Sequence, residues 1–271
     1  MKKLLNVTQI KLLNYHMNTN LLFLLCVGAL VCAASAYLGS FMVLKRMSLV
    51  GDALSHVALP GIAIAITFGI NPMLGALVAL LIATIGIWYL SDHSEVYPEA
   101  LVGVFFTASL SLGLLITPKA ELLEALFGDI DKIGTFDGVL TFFGALTIFV
   151  ITYSISKKLL LGVISDDMAK AQGINISKIN LIYLLMVGLV VALGVKFLGT
   201  LLTGAMVIIP AASAKNIARG INNFHFLAIT FGVISSVVGI LIAKSFGISS
   251  GPAVVLTSVL IFIFSYLFKN K

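Results

Sequence analysis

GDALSHVALPG, residues 51–61, sets an aspartate and a histidine four positions apart inside a stretch that otherwise reads as membrane-spanning. At i,i+4 on a helix, Asp52 and His56 share one face. A carboxylate oxygen and an imidazole nitrogen are both ligands for divalent metals. Ionisable side chains inside a bilayer are costly and mark ion or substrate paths. Pro60 has no N–H, so the carbonyl four residues earlier, that of His56, lacks its helical donor. The segment reads as half of a metal site on a path through a membrane.

The rest of the chain supplies the setting. Of its 271 residues, 60% are hydrophobic and 10% charged, and the mean hydropathy is +1.13. Soluble domains carry about 25% charged residues, so this is the composition of an integral membrane protein. The net charge of +6 is scattered between apolar runs. That pattern fits loop positions under the positive-inside rule and gives no sign of nucleic-acid binding. Cys26 and Cys32 both fall in the first apolar run and read as small apolar fillers. Neither a cleavable signal nor a soluble domain is expected.

Apolar runs long enough to cross a bilayer, about 17–25 residues each, fall at 21–44, 53–70, 73–91, 100–117, 138–155, 179–196, 198–214, 225–244 and 251–268. Lys196 interrupts the 179–214 stretch, which reads as two crossings or as one crossing and a re-entrant piece. The expectation is an all-α, polytopic transmembrane helix bundle of eight or nine spans. Residues 1–20 form an N-terminal interfacial or flexible segment, and 21–271 a single transmembrane domain. No fixed-period repeat is visible. Nine crossings put four basic clusters on the cytoplasmic side: Lys45 and Arg46; Lys157, Lys158, Lys170 and Lys178; Lys215 and Arg219; Lys269 and Lys271. The 118–136 loop then lies outside, and it is acidic through Glu121, Glu124, Asp129 and Asp131, with Asp137 just beyond it. Lys2, Lys3 and Lys11 run against the rule. At a rise of about 1.5 Å per residue, His56 falls near the middle of a core about 30 Å thick.

Two ligands on one helix do not complete a site, because zinc takes four and manganese more. No other span holds an Asp, Glu or His near its middle. His16, His93 and His225 lie in loops or at span ends and read as exposed or interfacial. A second copy of the chain, related by a two-fold axis beside this helix, supplies two more ligands. A homodimeric pore follows from that ligand count. Residues 165–174, SDDMAKAQGI, read separately as one turn of amphipathic helix between basic flanks, in a connection over 156–178 longer than two helices need. Ser165 or Asp166 serves as its N-cap and Gly173 as its end. No P-loop GxxxxGK[ST] occurs, so any ATP-driven step needs a separate subunit.

Five stretches carry a resemblance over about residues 23–268: LGSFMVLKRMSLVGDALSHVALPG at 38–61, LFGDI at 126–130, SDDMAKAQGI at 165–174, VKFLGTLLTGAMVIIPAASAKNIAR at 195–219 and SGPAVVL at 250–256. Together they resemble the integral membrane permease of ABC-type zinc/manganese uptake systems. The resemblance implies a type II ABC-importer-like bundle, a two-fold homodimer around a central pore, in the bacterial cytoplasmic membrane. It implies cytoplasmic ABC ATPase subunits and an extracellular or periplasmic metal-binding protein as partners. It places Asp52 and His56 at the dimer axis. It maps a short ATPase-docking helix of pattern Asp-x-Ala-x-x-x-Gly onto Asp167, Ala169 and Gly173. The chain is then no enzyme, holds no permanent cofactor, and passes Zn2+ or Mn2+.

Zinc leads, on the affinity order for N/O sites and on VKFLGTLLTGAMVIIPAA, which resembles the zinc-type members slightly more. An importer of metal chelates, with a wider path, should lack paired ligands at the midplane. An intramembrane metalloenzyme needs a nucleophile or general base beside the metal, and neither HExxH nor GxSxG is present. In a purely structural membrane protein, Asp52→Ala would be silent.

Overall fold

The computed structural model describes residues 7–116 and 134–268. Ten helices occupy them: α1 Val7–Leu44, α2 Val50–Thr67, α3 Pro72–His93, α4 Pro98–Ile116, α5 Thr135–Ile164, α6 Asp166–Ala171, α7 Ile176–Leu198, α8 Thr200–Ile217, α9 Ile221–Phe246 and α10 Ser250–Leu267. There is no strand among the described residues. Hydrocarbon offers no partner to a backbone N–H or C=O, so a spanning segment closes its hydrogen bonds on itself as helix.

Eight of these helices have the length and apolarity of membrane spans, and α8 carries a shorter apolar stretch, Leu202–Ile217. Its position makes α8 a ninth pass. A Cβ on Gly251, at the start of α10, would lie 3.3 Å from Leu202 Cδ1. Asn216 Nδ2, near the end of α8, donates to Ser265 Oγ, near the end of α10, at 3.0 Å. The two helices run parallel through one layer. The interruption at Lys196 is therefore the join between two crossings. The reversal is made at Gly199 alone, whose φ of 78° and ψ of 168° favour a residue without Cβ.

Two boundaries differ from the sequence reading. Residues 7–20 continue α1 as helix, and a helix of that length, about 55 Å at 1.5 Å per residue, overreaches a hydrocarbon core of about 30 Å. At the other boundary, α5 runs on to Ile164, so the connection expected over 156–178 narrows to 165–175, with α6 inside it. Lys157 and Lys158 do not end the helix, because lysine stems can lie along an apolar surface and carry the ammonium out to water. Most of the acidic 118–136 loop, the LFGDI stretch, and Lys269 and Lys271 lie outside the described residues.

The passes alternate, so the bundle has two chemically different ends. At the basic end Lys45 Nζ donates to Asn180 Oδ1 at 2.6 Å, and Trp88 Nε1 donates to the Ser177 carbonyl at 3.0 Å. At the opposite end Asn71 Nδ2 donates to Asp137 Oδ1 at 2.9 Å, and Lys196 Nζ lies 3.6 Å from Asp137 Oδ2. Asp137 sits in the first turn of α5 and Lys196 in the last turn of α7. Each charge faces the helix end that favours its sign.

α7 is the most buried span and α4 the least. α2, which carries Asp52 and His56, is held by α3, α4 and α8. Its crossing with α3 is glycine on glycine. A Cβ on Gly61 would run into the Gly75 carbonyl and lie 2.6 Å from Ala79 Cβ. Gly61→Val should therefore force α2 from α3 and cost at least about 2 kcal/mol, as overpacking does. Thermal unfolding in detergent reads this as a lowered Tm. Gly103→Val, at an exposed position with nothing within 4 Å of its Cβ site, should leave the Tm in place. Equal melting of the two variants would remove the tight α2–α3 crossing.

Candidate metal site on α2

α2 opens one face. Asp52, His56, Pro60, Ile64 and Phe68 are spaced by four and are all at least partly exposed, while Leu54, Ser55, Val57 and Ala58 between them are buried. Asp52 and His56 thus sit on one helical stripe, as their spacing predicts, with β-carbons about 6 Å apart. Asp52 lies in the first turn, where the helix dipole favours a carboxylate. Pro60 stays inside the continuous helix. α4 closes over it, with a Cβ on Gly113 meeting Leu59 Cβ at 3.1 Å.

The His56 ring packs edge-on to Phe106 of α4, with centroids 5.4 Å apart and an interplanar angle of 70°. Its Nδ1 is buried with no hydrogen-bond partner. A buried polar atom left unpaired costs about 1–3 kcal/mol, and a neutral imidazole offers one unprotonated ring nitrogen to a metal. Among the described residues, no three or more His, Cys, Asp or Glu side chains gather into a group able to hold a metal ion.

Behind the pair stands a clasp that its spacing does not reveal. Ser55, between Asp52 and His56, is fully buried. Its Oγ lies 2.5 Å from the Thr200 carbonyl and 2.6 Å from the Asp52 carbonyl. One hydroxyl proton thus ties α2 to the first residue of α8. One turn on, a Cβ at Gly204 would lie 2.6 Å from both Cα and Cβ of Asp52. The α8 backbone therefore rests on the Asp52 backbone, and only glycine permits it. The one sequence signal was a small hydroxyl residue placed between Asp52 and His56; its partner is 145 positions away.

The other singled-out residues are distributed as follows. Ser165 caps α6 by accepting from Met168 N at 3.3 Å. Gly173, at φ 73°, closes it with Ile174 N bonded to the Ala169 carbonyl at 3.0 Å, a left-handed helix end. Asp167 and Gly173 are exposed, while Ala169 is fully buried and seats α6 on the bundle. His93 is exposed and stacks on Tyr89 at 4.3 Å. His225 stands in the second turn of α9, at a span end as read, and is half-buried. Its ring stacks on Phe41 at 4.5 Å, with Nδ1 2.6 Å from Ser40 Oγ.

A polytopic bundle that turns an ionisable pair onto the open face of one span is built to pass something through a membrane. The chain belongs to the ABC 3 transport family, whose model matches residues 17–269. The manganese transport system membrane protein MntC of Listeria monocytogenes is 31% identical over 241 residues, 88% of this chain and 86% of its own length. The high-affinity zinc uptake system membrane protein ZnuB of Haemophilus influenzae is 32% identical over 252 residues, 91% and 96% of the two chains. Among solved structures, PsaBC from Streptococcus pneumoniae in complex with Fab matches with a TM-score of 0.80 at 30% identity, over 92% of this chain and 91% of that one. The chain is a multi-pass membrane permease subunit of the bacterial cell membrane, not itself an enzyme.

The clasp makes a prediction. Gly204→Val should displace Asp52 and lower metal retention by about 10- to 100-fold, as loss of ligand support does, while helix content by circular dichroism is unchanged. Ser55→Ala should act in the same direction and more weakly. Wild-type retention in Gly204→Val, measured by equilibrium dialysis, would show that α8 does not set Asp52.

Proposed function

We propose that the chain is the membrane-spanning permease of an ATP-driven divalent metal importer, working as a homodimer in which Asp52 and His56 of two copies meet at the axis. The observation that carries this is the half-finished ligand set. α2 offers a partly exposed carboxylate and, one turn on, a partly exposed imidazole whose buried Nδ1 has no partner, with no further His, Cys, Asp or Glu grouped beside them among the described residues. A two-fold axis along that stripe turns two donors into four. Two carboxylates and two imidazoles suit a borderline divalent ion.

Zinc is the preferred cargo, because an N/O donor set binds it above manganese in the affinity order. Manganese is the second reading, favoured by the name of a relative as similar as the zinc one, the MntC protein of Listeria monocytogenes. The basic end of the bundle is assigned to the cytoplasm by the charge rule. There α6, with Asp167 and Gly173 turned outward, is the docking point for a separate ATPase. The opposite end receives the ion from an extracellular or periplasmic metal-binding protein.

In cells or vesicles holding the full importer, Asp52→Ala and His56→Ala should each cut metal uptake by about 100-fold or more, since the dimer loses two of four ligands at once. Competition between zinc and manganese in the same assay assigns the cargo: excess zinc should suppress manganese uptake more than the reverse. Wild-type uptake by either variant, with the protein folded and inserted, places the ion path elsewhere.

A further inference from the structure

At the basic end, α3, α4, α5, α6 and α7, with the turn that follows α1, line a cavity of about 320 Å³. Lys45, the first residue after α1, reaches into it. Its ammonium donates to Asn180 Oδ1 at 2.6 Å and stands 5.1 Å from the centroid of the Tyr183 ring, which is fully buried. Burial pushes the Lys45 ammonium below the usual lysine range, and the charges of Asp166 and Glu99 act in the opposite direction. Asp166 is the first residue of α6, and Glu99 stands in the first turn of α4. Both carboxylates line the cavity with Lys45. Exposed ion pairs are worth little because water and salt screen them, but a cation drawn into a cavity is screened less.

On its other side Lys45 is tied to α2 by a stiff turn. Arg46 sits at φ 62°, and Met47 N bonds the Met42 carbonyl at 2.9 Å, closing α1 with a left-handed cap. Val50 N then bonds the Met47 carbonyl at 3.1 Å, and Ala53 N the Leu49 carbonyl at 3.0 Å. The one glycine between Lys45 and Asp52, Gly51, is buried and already helical in α2, its Cβ site 3.4 Å from Met42 Cε.

We propose that Lys45 is a positioning residue that passes displacement of α6 to the metal-bearing helix: Asp166 acts on its ammonium, and the 45–53 turn delivers the movement to Asp52. This rests on the reading of α6 as the ATPase-docking helix. An ATPase can bias a pore only through a contact that differs between its states. α6 packs on α5 and α7, neither of which carries the Asp52–His56 pair. Lys45 is the charged group that touches α7, faces α6 and leads into α2.

The test uses the permease reconstituted in vesicles with its ATPase. It measures metal taken up per ATP hydrolysed, ATPase association, and metal bound by the permease. Lys45→Gln and Asp166→Asn should each keep association and metal binding and lower uptake per ATP at least about 5-fold, the lower range of intersite coupling. The double variant should be no worse than either single one, since both break one link. Lys45→Arg should restore coupling, which a merely space-filling role for Lys45 does not require. Wild-type uptake per ATP in both single variants, or additive losses in the double, overturns the relay. Asp166 is exposed, so Asp166→Asn decides the matter even if Lys45→Gln fails to insert. Asp167→Lys tests the docking reading separately: it should weaken ATPase association, and unchanged association overturns docking at α6 whatever Lys45 does.

Discussion

An ionisable side chain inside a membrane-spanning segment is costly, and the architecture around α2 is arranged to bear the charge of Asp52. Asp52 stays in the first turn of its helix, where the dipole favours it. Its open side faces along a stripe shared with His56, and its back rests on α8 at Gly204. A carboxylate kept at this cost for packing alone would be hard to account for. One kept as a ligand repays it whenever a divalent ion arrives.

The same constraint explains why small residues gather at the helix crossings. Lipid tails are as apolar as leucine, so helices in a bilayer gain from close backbone contact rather than from hiding apolar surface. The α2–α3 crossing at Gly61 and Gly75, and the α2–α8 crossing at Gly204, bring backbones together on two sides of the metal stripe. Backbones packed that closely hold α2 on both sides, which keeps Asp52 and His56 one helical turn apart in a fixed relation. Ser55 adds a hydrogen bond across the second crossing. At the far end, the Asp137–Lys196 pair pins α7 just before the Gly199 reversal into α8.

Much of this was legible in the sequence, for physical reasons. Hydrocarbon thickness sets span length, so the first span was read as 21–44 and α1 ends at Leu44. The Asp52–His56 face followed from the helical period alone. Ser165 and Gly173 were legible as the ends of α6, because caps need particular side chains and backbone angles. What escaped was set by partners far along the chain. The Ser55–Thr200 clasp, the Asp137–Lys196 pair and the His225–Ser40 contact each join residues that no local window connects. The helical continuations at 7–20 and 156–164 escaped for another reason. Their lysines and polar residues lower hydropathy without lowering helix propensity, so a rule built on apolarity stops too early.

The central claim is that one ion is held by ligands from two copies of α2. Metal content of the purified permease, measured with protein concentration after exchange into metal-free buffer, tests it most directly. The account predicts one zinc or manganese ion for every two chains, and none in His56→Ala. One ion for each chain, or an unchanged content in His56→Ala, would contradict it.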